Sequence, residues 1–445
     1  MQPVENPLED LANTLANKLL YCLSSKQVKV QDKYDYYNAD NDITDLGIST
    51  PMRMRSLRPG IGWAGRAVNT LSDRVAFDGF ANDTYGINDY MDSIGGFSVL
   101  SKVKHDAFIA GCAFTAIADD GNGGKLLIPF TAQEATGEID QTTGLLKWGL
   151  AVTKWQVPKP RKIGINYAPK DYILFTPEFT AVYKNRYLHE IIPNYTGRTL
   201  LHPITHRHSA DRPLGKSRIT NTARRIINEV GRLKRREEIA EEFYSLPQRY
   251  ISGLAEGVEK DANLDSAIGK VWAINVDEEG NKPDIGQLAQ MSIDGFETAK
   301  KDKARDFCAE TALTLRNLGY ETGNPSSAES LAAMSDDLLL EAQNSQDEMG
   351  KQFKEIMITL RLALDNNNEV PAQLRAIIPA WKPIFQADIG QVGDAMYKLF
   401  QAMPELVGTV EGYSMMGIGI RQAEKLVQRR VEAKNAGFMS NGGTQ

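Results

Sequence analysis

Cysteine is scarce in this chain of 445 residues: Cys22, Cys112 and Cys308 stand far apart, odd in number and without a CxxC spacing. That excludes a disulfide framework and fits a protein made in a reducing compartment. Long apolar runs are missing too. The longest, AFIAGCAFTAIA at 107–118, is closed off by Asp106 and Asp119, short of the roughly 18 to 20 apolar residues a membrane-crossing helix needs. The opening MQPVENPLEDLANTLANKLL places acids early and has no basic start before a short apolar core, so no secretion signal is expected. Histidine numbers five, and no Ser–His–Asp or Cys–His arrangement can be built from it. There is no internal repeat and no low-complexity block before the tail MSNGGTQ, which is expected to be disordered.

What is present is ordinary globular material. Hydrophobic residues make up 42% and charged residues 24%, with a formal net charge of −6, so a protein that coats nucleic acid over its whole surface is excluded. The length exceeds one compact core, which predicts two or more sub-structures.

Helical and strand textures alternate along the chain. Leu8, Leu11, Leu15, Leu19 and Tyr21 recur at helical intervals and predict a helix over 8–25. The polar aromatic stretch DKYDYYNADND follows, then helices from Trp63 to about Arg74 and from about Phe97 to Ile109. From 112 to 205 the runs FTAIADDGNGGKLLIPF, GEIDQTTGLLKWGLAV and DYILFTPEFTAVYKN are split by DG, GNGG, TTG and Pro, the punctuation of hairpins. Ile219, Ala223, Ile226, Val230, Leu233, Ala240 and Phe243 then mark a long helix stopped by Pro247. A short β interlude (QRYISGL, GKVWAINV and the turn DEEGNKPD) precedes a helix from Ile293 to about Thr314. Ser326 to Glu329 is a capping-box pattern after Pro325. It opens the longest helical pattern, whose apolar face runs from Leu331 through Met349 and Phe353 to Leu364. That length predicts packing against other subunits. AIIPAWKPIFQ at 376–386 reads as a returning strand, and helices near 389–402 and 417–435 close the chain.

Several motifs touch on chemistry. ADRPLGKS at 210–217 is one residue short of a phosphate-binding loop: Ala210 stands where the first Gly belongs, and Pro213 removes an amide that would cradle phosphate. GIGWAG at 60–65 matches GxGxxG but follows SLRP rather than a strand. His202, His206 and His208 cluster, but Pro203 and the lack of nearby Cys or paired acids favour surface histidines over a zinc site. The pairs Asp336-Asp337 and Asp119-Asp120 read as helix surface and turn. No metal and no cofactor are expected.

The most unusual stretch is RPLGKSRITNTARRIINEVGRLKRREE at 212–238. From Arg212 to Arg236 it carries nine Lys or Arg against one acid, Glu229. Arg224, Arg225, Arg232, Arg235 and Arg236 fall largely off the apolar stripe. Two readings stand side by side: a solvated face paired with acids of neighbouring helices, or direct contact with phosphates.

Taken in order, DKYDYYNADND at 32–42, GWAGRAVNTLSDRVAFDGF at 62–80, RPLGKSRIT at 212–220, EEFYSLPQRYISG at 241–253 and NPSSAESL at 324–331 resemble the portal proteins of tailed bacteriophages and related proviruses. The resemblance implies an α+β fold and a ring, typically twelvefold, at one capsid vertex of the virion, assembled in the host cytoplasm, with double-stranded DNA passing through it during packaging and ejection. By position it implies a wing over 1–210, stem helices over 211–246 and 292–315, a clip over 247–291, a tunnel loop over 316–327, a tunnel helix with a return to the wing over 328–388, and a crown with its tail over 389–445. Arg316, Asn317, Asn324, Ser326 and Ser327 would face the DNA; Arg249, Lys260, Lys270 and Lys282 of the clip would dock partners. Those partners are the terminase large subunit and a head-completion or adaptor protein, with major capsid and scaffold proteins around the ring. In such a ring the basic stem charges would meet acids of adjacent copies, from Glu237, Glu238, Glu241, Glu242, Asp294, Glu297, Asp302 and Asp306. The chain would not be an enzyme. The alternative is a nucleotide-binding, DNA-translocating motor enzyme built on the 210–217 loop.

Overall fold

The computed structural model describes residues 7–44, 56–156, 168–244, 249–252, 284–287, 293–320, 336–384 and 389–441. The chain is a mixture of helix and antiparallel sheet in two compact units. One unit takes the described residues of Met1–Asn41, Gly62–Arg224 and Ala309–Gln445; the other takes those of Asp42–Ile61 and Arg225–Cys308.

In the larger unit the first helix, α1 (Pro7–Tyr37), runs well past the expected 25. Its buried stripe simply continues, from Leu15, Leu19 and Leu23 through Gln27 and Val30 to Tyr36, so the first part of the polar aromatic stretch is its last two turns. Helix α2 (Trp63–Arg74) matches its expected limits. Gly65 explains the GxGxxG pattern: a Cβ there would lie 2.9 Å from the Tyr37 carbonyl oxygen, so the glycine permits close packing of α2 on α1 and has no phosphate to approach. Strand β1 (Phe77–Ala81), α3 (Ile87–Ser93) and α4 (Gly96–Ala110) follow.

The hairpin punctuation produces the expected sheets. Strands β2 (Cys112–Asp119) and β3 (Lys125–Thr131) pair across the DGNGG turn, where Asp120 accepts the amides of Asn122 and Gly124. Strands β4 (Ala135–Ile139), β5 (Leu146–Trp155), β6 (Pro169–Phe175), β7 (Phe179–Lys184) and β8 (Tyr187–Pro193) form a five-stranded sheet in sequence order. Strand β9 (Leu201–Thr205) pairs with β2, giving the order β3-β2-β9. Because side chains alternate along a strand, β5 serves two cores. Leu150 and Val152 join Leu15, Leu19 and Leu23 of α1, while Ala151 joins Phe114, Phe130 and Leu201; Leu146 joins that second core too, because the β4–β5 register shifts between Glu138 and Ile139.

Helix α5 (Asn221–Tyr244) starts in this unit and continues in the smaller one, where β10 (Arg249–Ser252) and β11 (Asp284–Gln287) pair antiparallel before α6 (Asp294–Thr311). The run GKVWAINV lies outside the described residues, as does the Ser326–Glu329 capping box.

Back in the larger unit, α7 (Asp336–Asp365) corrects one expectation. Its apolar face is covered within its own chain: Leu338, Ala342, Met349, Phe353, Ile356 and Leu360 are buried against β9, α2 and the strand that follows. After the short α8 (Ala372–Arg375), β12 (Ile378–Trp381) pairs antiparallel with β1, so 376–386 does return as a strand. Phe77, Phe353 and Trp381 meet there, with Phe77 4.9 Å from each of the other two ring centres. Helices α9 (Ile389–Ala402), α10 (Val410–Met415) and α11 (Ile420–Asn441) complete the chain; α11 carries Met439 to Asn441 of the expected disordered tail. No helix among the described residues is long and apolar enough to cross a membrane.

The aromatic cluster sets a stability test. Phe353→Ala, at a fully buried site, is expected to cost about 3–5 kcal/mol. Tyr397→Ala, at a site 66% exposed, should change stability by less than about 0.5 kcal/mol. Urea midpoints of the two variants, compared with the unchanged protein, decide it.

Candidate functional site

The 210–217 loop does not form a phosphate cradle. The Lys216 amide donates to the His206 carbonyl at 2.7 Å, the Gly215 amide to Arg212 at 2.9 Å, and the Ser217 hydroxyl to Ile109 at 2.5 Å. Gly215 has φ +78, and a Cβ there would sit 2.4 Å from the Gly111 carbonyl. The glycine and the serine are therefore used to seat this segment against the end of α4, and the Gly215 and Lys216 amides are already bonded to protein.

That seat delivers Arg218 into the interior. Its guanidinium donates to the Ala67 carbonyl at 2.8 Å and the Thr311 carbonyl at 2.7 Å, and is paired with Glu341 of α7. Both side chains of the pair are almost fully buried. Burial lowers the Arg218 pKa and the Glu341 carboxylate pulls it back. Arg207 approaches the other Glu341 oxygen at 3.1 Å from the partly exposed side.

Glu341 is the first of a polar row on α7. Glu348 accepts the amides of Arg207 (3.0 Å) and His208 (3.1 Å), Gln352 exchanges two hydrogen bonds with Thr205, and Glu355 pairs with Arg198 at 2.5 Å. Spacings of seven, four and three put all four on one helix face. They pin α7 to β9, to Arg198 just before it and to the turn after it, where Arg207 holds a left-handed φ of 51°.

The histidine cluster is not on the surface as expected. His202 and His206 are buried, because α7 covers β9; His208 alone is exposed, paired with Glu348. Burial, with Arg198 adding to it, pushes His202 down to about 3. Burial, reinforced by Arg207 and Arg218, holds His206 well below its ordinary value. Glu341 lies 3.8 Å away, but its oxygens face the two arginines. Among the described residues no group of His, Cys, Asp or Glu is arranged to hold a metal.

A cavity of about 720 Å³ opens between α2 and α4, lined by Asp73, Lys102, Lys104, His105 and Phe353 among others. Lys104 and His105 in it serve the fold. Lys104 donates to the Ser72 and Val75 carbonyls at the end of α2, at 2.8 and 2.6 Å, and burial lowers its pKa to about 8. His105 bonds Ser72 and Tyr37.

The root of the expected DNA-facing loop is a short turn. Thr314 and Asn317 cap each other: the Asn317 amide oxygen accepts from the Thr314 amide at 3.0 Å and its hydroxyl at 2.6 Å. Arg66 of α2 donates to the Asn317 carbonyl at 2.9 Å. Asn317 thus anchors the loop, while Arg316 beside it is exposed. Asn324, Ser326 and Ser327 lie outside the described residues. So do Lys260, Lys270 and Lys282; Arg249 begins β10.

On α5 the structure sorts the arginines. Arg224 pairs with Asp32 and lies 5.7 Å from the Tyr36 ring centre. Arg235, expected off the apolar stripe, is buried and donates to the Leu57 carbonyl at 2.9 Å. Glu229 pairs with Lys303 of α6 at 2.9 Å. Arg225 and Arg236 remain exposed and Arg232 half-buried. Sequence periodicity missed Arg218 and Glu341 altogether; Arg218 sits before the helix and Glu341 reads as one more surface acid.

No family model matches the chain. It is 20% identical to the portal protein of Mycobacterium phage D29, over 92% of this chain and 87% of that protein. The portal protein of Mycobacterium phage L5 is 19% identical over 96% of this chain and 89% of its own length. Among solved structures, the neck of a native GTA particle computed with C12 symmetry covers 87% of this chain and 99% of its own, with TM-score 0.42 and 11% identity. The virion of a native gene transfer agent gives 0.42 and 12%, covering 83% and 94%. The chain is thus similar to phage portal proteins along nearly its whole length.

The buried pair generates a second test. Arg218→Met leaves the buried Glu341 carboxylate with only the half-exposed Arg207 as partner and is expected to cost about 3–5 kcal/mol; Arg218→Met with Glu341→Leu should recover most of that loss. Urea unfolding of the single and double variants measures it, and a single variant within 1 kcal/mol of the parent would remove Arg218 from its central place.

Proposed function

We propose that the chain is the subunit of a portal ring, a conduit for double-stranded DNA at one vertex of a phage-like particle. The observation that carries this reading is the similarity to two portal proteins over 92% and 96% of the chain, with 87% and 89% of the relatives covered. A short shared module would not give that coverage. The five sequence segments found in family order support it, and so does the helix–strand–strand–helix unit of α5, β10, β11 and α6 at the place assigned to stem and clip.

In this reading the ring is twelvefold, DNA moves through it under the power of a partner ATPase, and the clip docks that terminase and later the adaptor protein. The wing, stem, clip, tunnel and crown follow the boundaries given above. The engaged Gly215 and Lys216 amides count against the motor-enzyme alternative. Arg316, with the polar residues Asn324, Ser326 and Ser327, contacts the duplex weakly and without reading sequence; Asn317 holds the loop from behind.

Electron microscopy of the purified protein is expected to show closed rings with an axial channel, about twelve subunits in top view, and no ATP hydrolysis that depends on Lys216. A stable monomer at high concentration, or hydrolysis abolished by Lys216→Ala, sinks the proposal. In assembled particles, Arg316→Ala should reduce DNA packaging or retention without changing ring formation. Unchanged packaging and retention would take Arg316 off the DNA path.

A further inference from the structure

Two helix faces in the smaller unit are left with charge of opposite sign. Arg225, Arg232 and Arg236 are seven and eleven residues apart along α5, which places them within about 20° of one line on the helix. Among the described residues none of the three has an ion-pair partner in its own chain. Glu229, on the same side, is neutralised by Lys303. On α6 the exposed side carries Asp302 and Asp306, about 40° apart. Each has only a neighbour on its own helix, Arg305 at 2.7 Å and Lys303 at 3.5 Å, and all these groups are well exposed or half-exposed.

Resting on the portal-ring reading, we infer that α5 of one copy docks on α6 of the next through two rungs, Arg225 to Asp306 and Arg232 to Asp302. The occupant of the basic face is a second copy of this chain, chosen over DNA by charge complementarity and by height. The height follows from contacts inside one copy. The Glu229–Lys303 pair fixes which levels of the two helices coincide, and the Thr220 hydroxyl, just before α5, donating to Glu310 near the end of α6 shows that the helices run in opposite directions. Counting from that pair at about 1.5 Å per residue, Arg225 lies about 6 Å below Glu229 and Asp306 about 4.5 Å below Lys303. Arg232 lies about 4.5 Å above the pair and Asp302 about 1.5 Å above it. Copies in a closed ring are related by rotation without rise, so levels that coincide within one copy coincide between neighbours. Both rungs are then offset by about 3 Å or less, within reach of an arginine side chain.

The geometry also explains the division of labour on α5. Arg224 and Arg235 are spent inside the chain, whereas the arginines one position away from each, Arg225 and Arg236, point elsewhere. Arg236 lies beyond the second rung and is left to solvent.

The test exchanges the signs of the two faces in the full-length protein. Arg225→Glu with Arg232→Glu makes both faces acidic; Asp302→Arg with Asp306→Arg makes both basic. Each double variant is expected to raise the protein concentration needed for ring formation about tenfold or more, read by sedimentation and electron microscopy at about 0.15 M salt, where screening reaches only beyond about 8 Å. Mixing the two variants restores rings, because copies alternating around an even ring present opposite charges at every interface. All four changes in one chain also restore them. Contacts confined within one copy could not be repaired by mixing, so rescue by the quadruple variant alone overturns the inference. Rings of the Arg225→Glu, Arg232→Glu variant at unchanged yield overturn it too; reduced DNA retention in those rings assigns the face to DNA. If the unchanged protein forms no rings, the portal reading itself fails. Circular dichroism of each variant confirms folding, and the mixed sample supplies the answer even where one variant is less stable.

Discussion

One ion pair holds together three parts of the chain that are far apart in sequence. Arg218 bonds a carbonyl of α2, the carbonyl ending α6 and the carboxylate of Glu341 on α7. Removing two charges from water is costly, and an apolar pair of equal size would often be as stable. What the guanidinium adds is direction. Its planar fork has donors at fixed angles, so two backbone carbonyls and one carboxylate are satisfied together only in one arrangement of α2, α6's end and α7.

The rest of the larger unit is consistent with that constraint. The 215–217 seat against Gly111 places Arg218 at its depth, and the polar row Glu341, Glu348, Gln352 and Glu355 fixes α7 along β9. Thr314 and Asn317 cap the turn over Leu315–Leu318, and Arg66 of α2 holds that turn through the Asn317 carbonyl. Polar contacts set the register here, while apolar ones such as Phe77 with Phe353 and Trp381 supply most of the burial.

Much of this was legible in the sequence, for a physical reason. Periodicity and turn chemistry are local, and they placed α2, α4, the hairpins of 112–205, β12 and α9 close to where they are. Where the outcome depends on distant partners, the local signal failed. The long face of α7 reads as an interface between copies but is covered by β9, β12 and α2. His202 and His206 read as surface residues because nothing in LHPITHRHS reveals that a helix more than a hundred residues away lies over them. The glycine and serine of ADRPLGKS carry a phosphate-loop appearance, yet a tight turn against Gly111 needs the same residue types. Arg316 and Asn317 stand side by side in the sequence, and only the capping geometry separates the anchoring Asn317 from the exposed Arg316.

The charge distribution ties the site to the proposed activity. Six net negative charges per copy, repeated around a ring of about twelve, give the assembly about seventy. A duplex that must slide gains from such a background, since each strong phosphate contact would have to be broken at every step. An exposed row of arginines on the stem would work against sliding if it lined the bore. Turned sideways onto Asp302 and Asp306 of a neighbour, the same arginines are neutralised and the positive charge is removed from the path. In the proposed ring, cohesion between copies and low friction on the DNA would both follow from one placement of charge, with basic groups facing protein and the acidic background left to the bore.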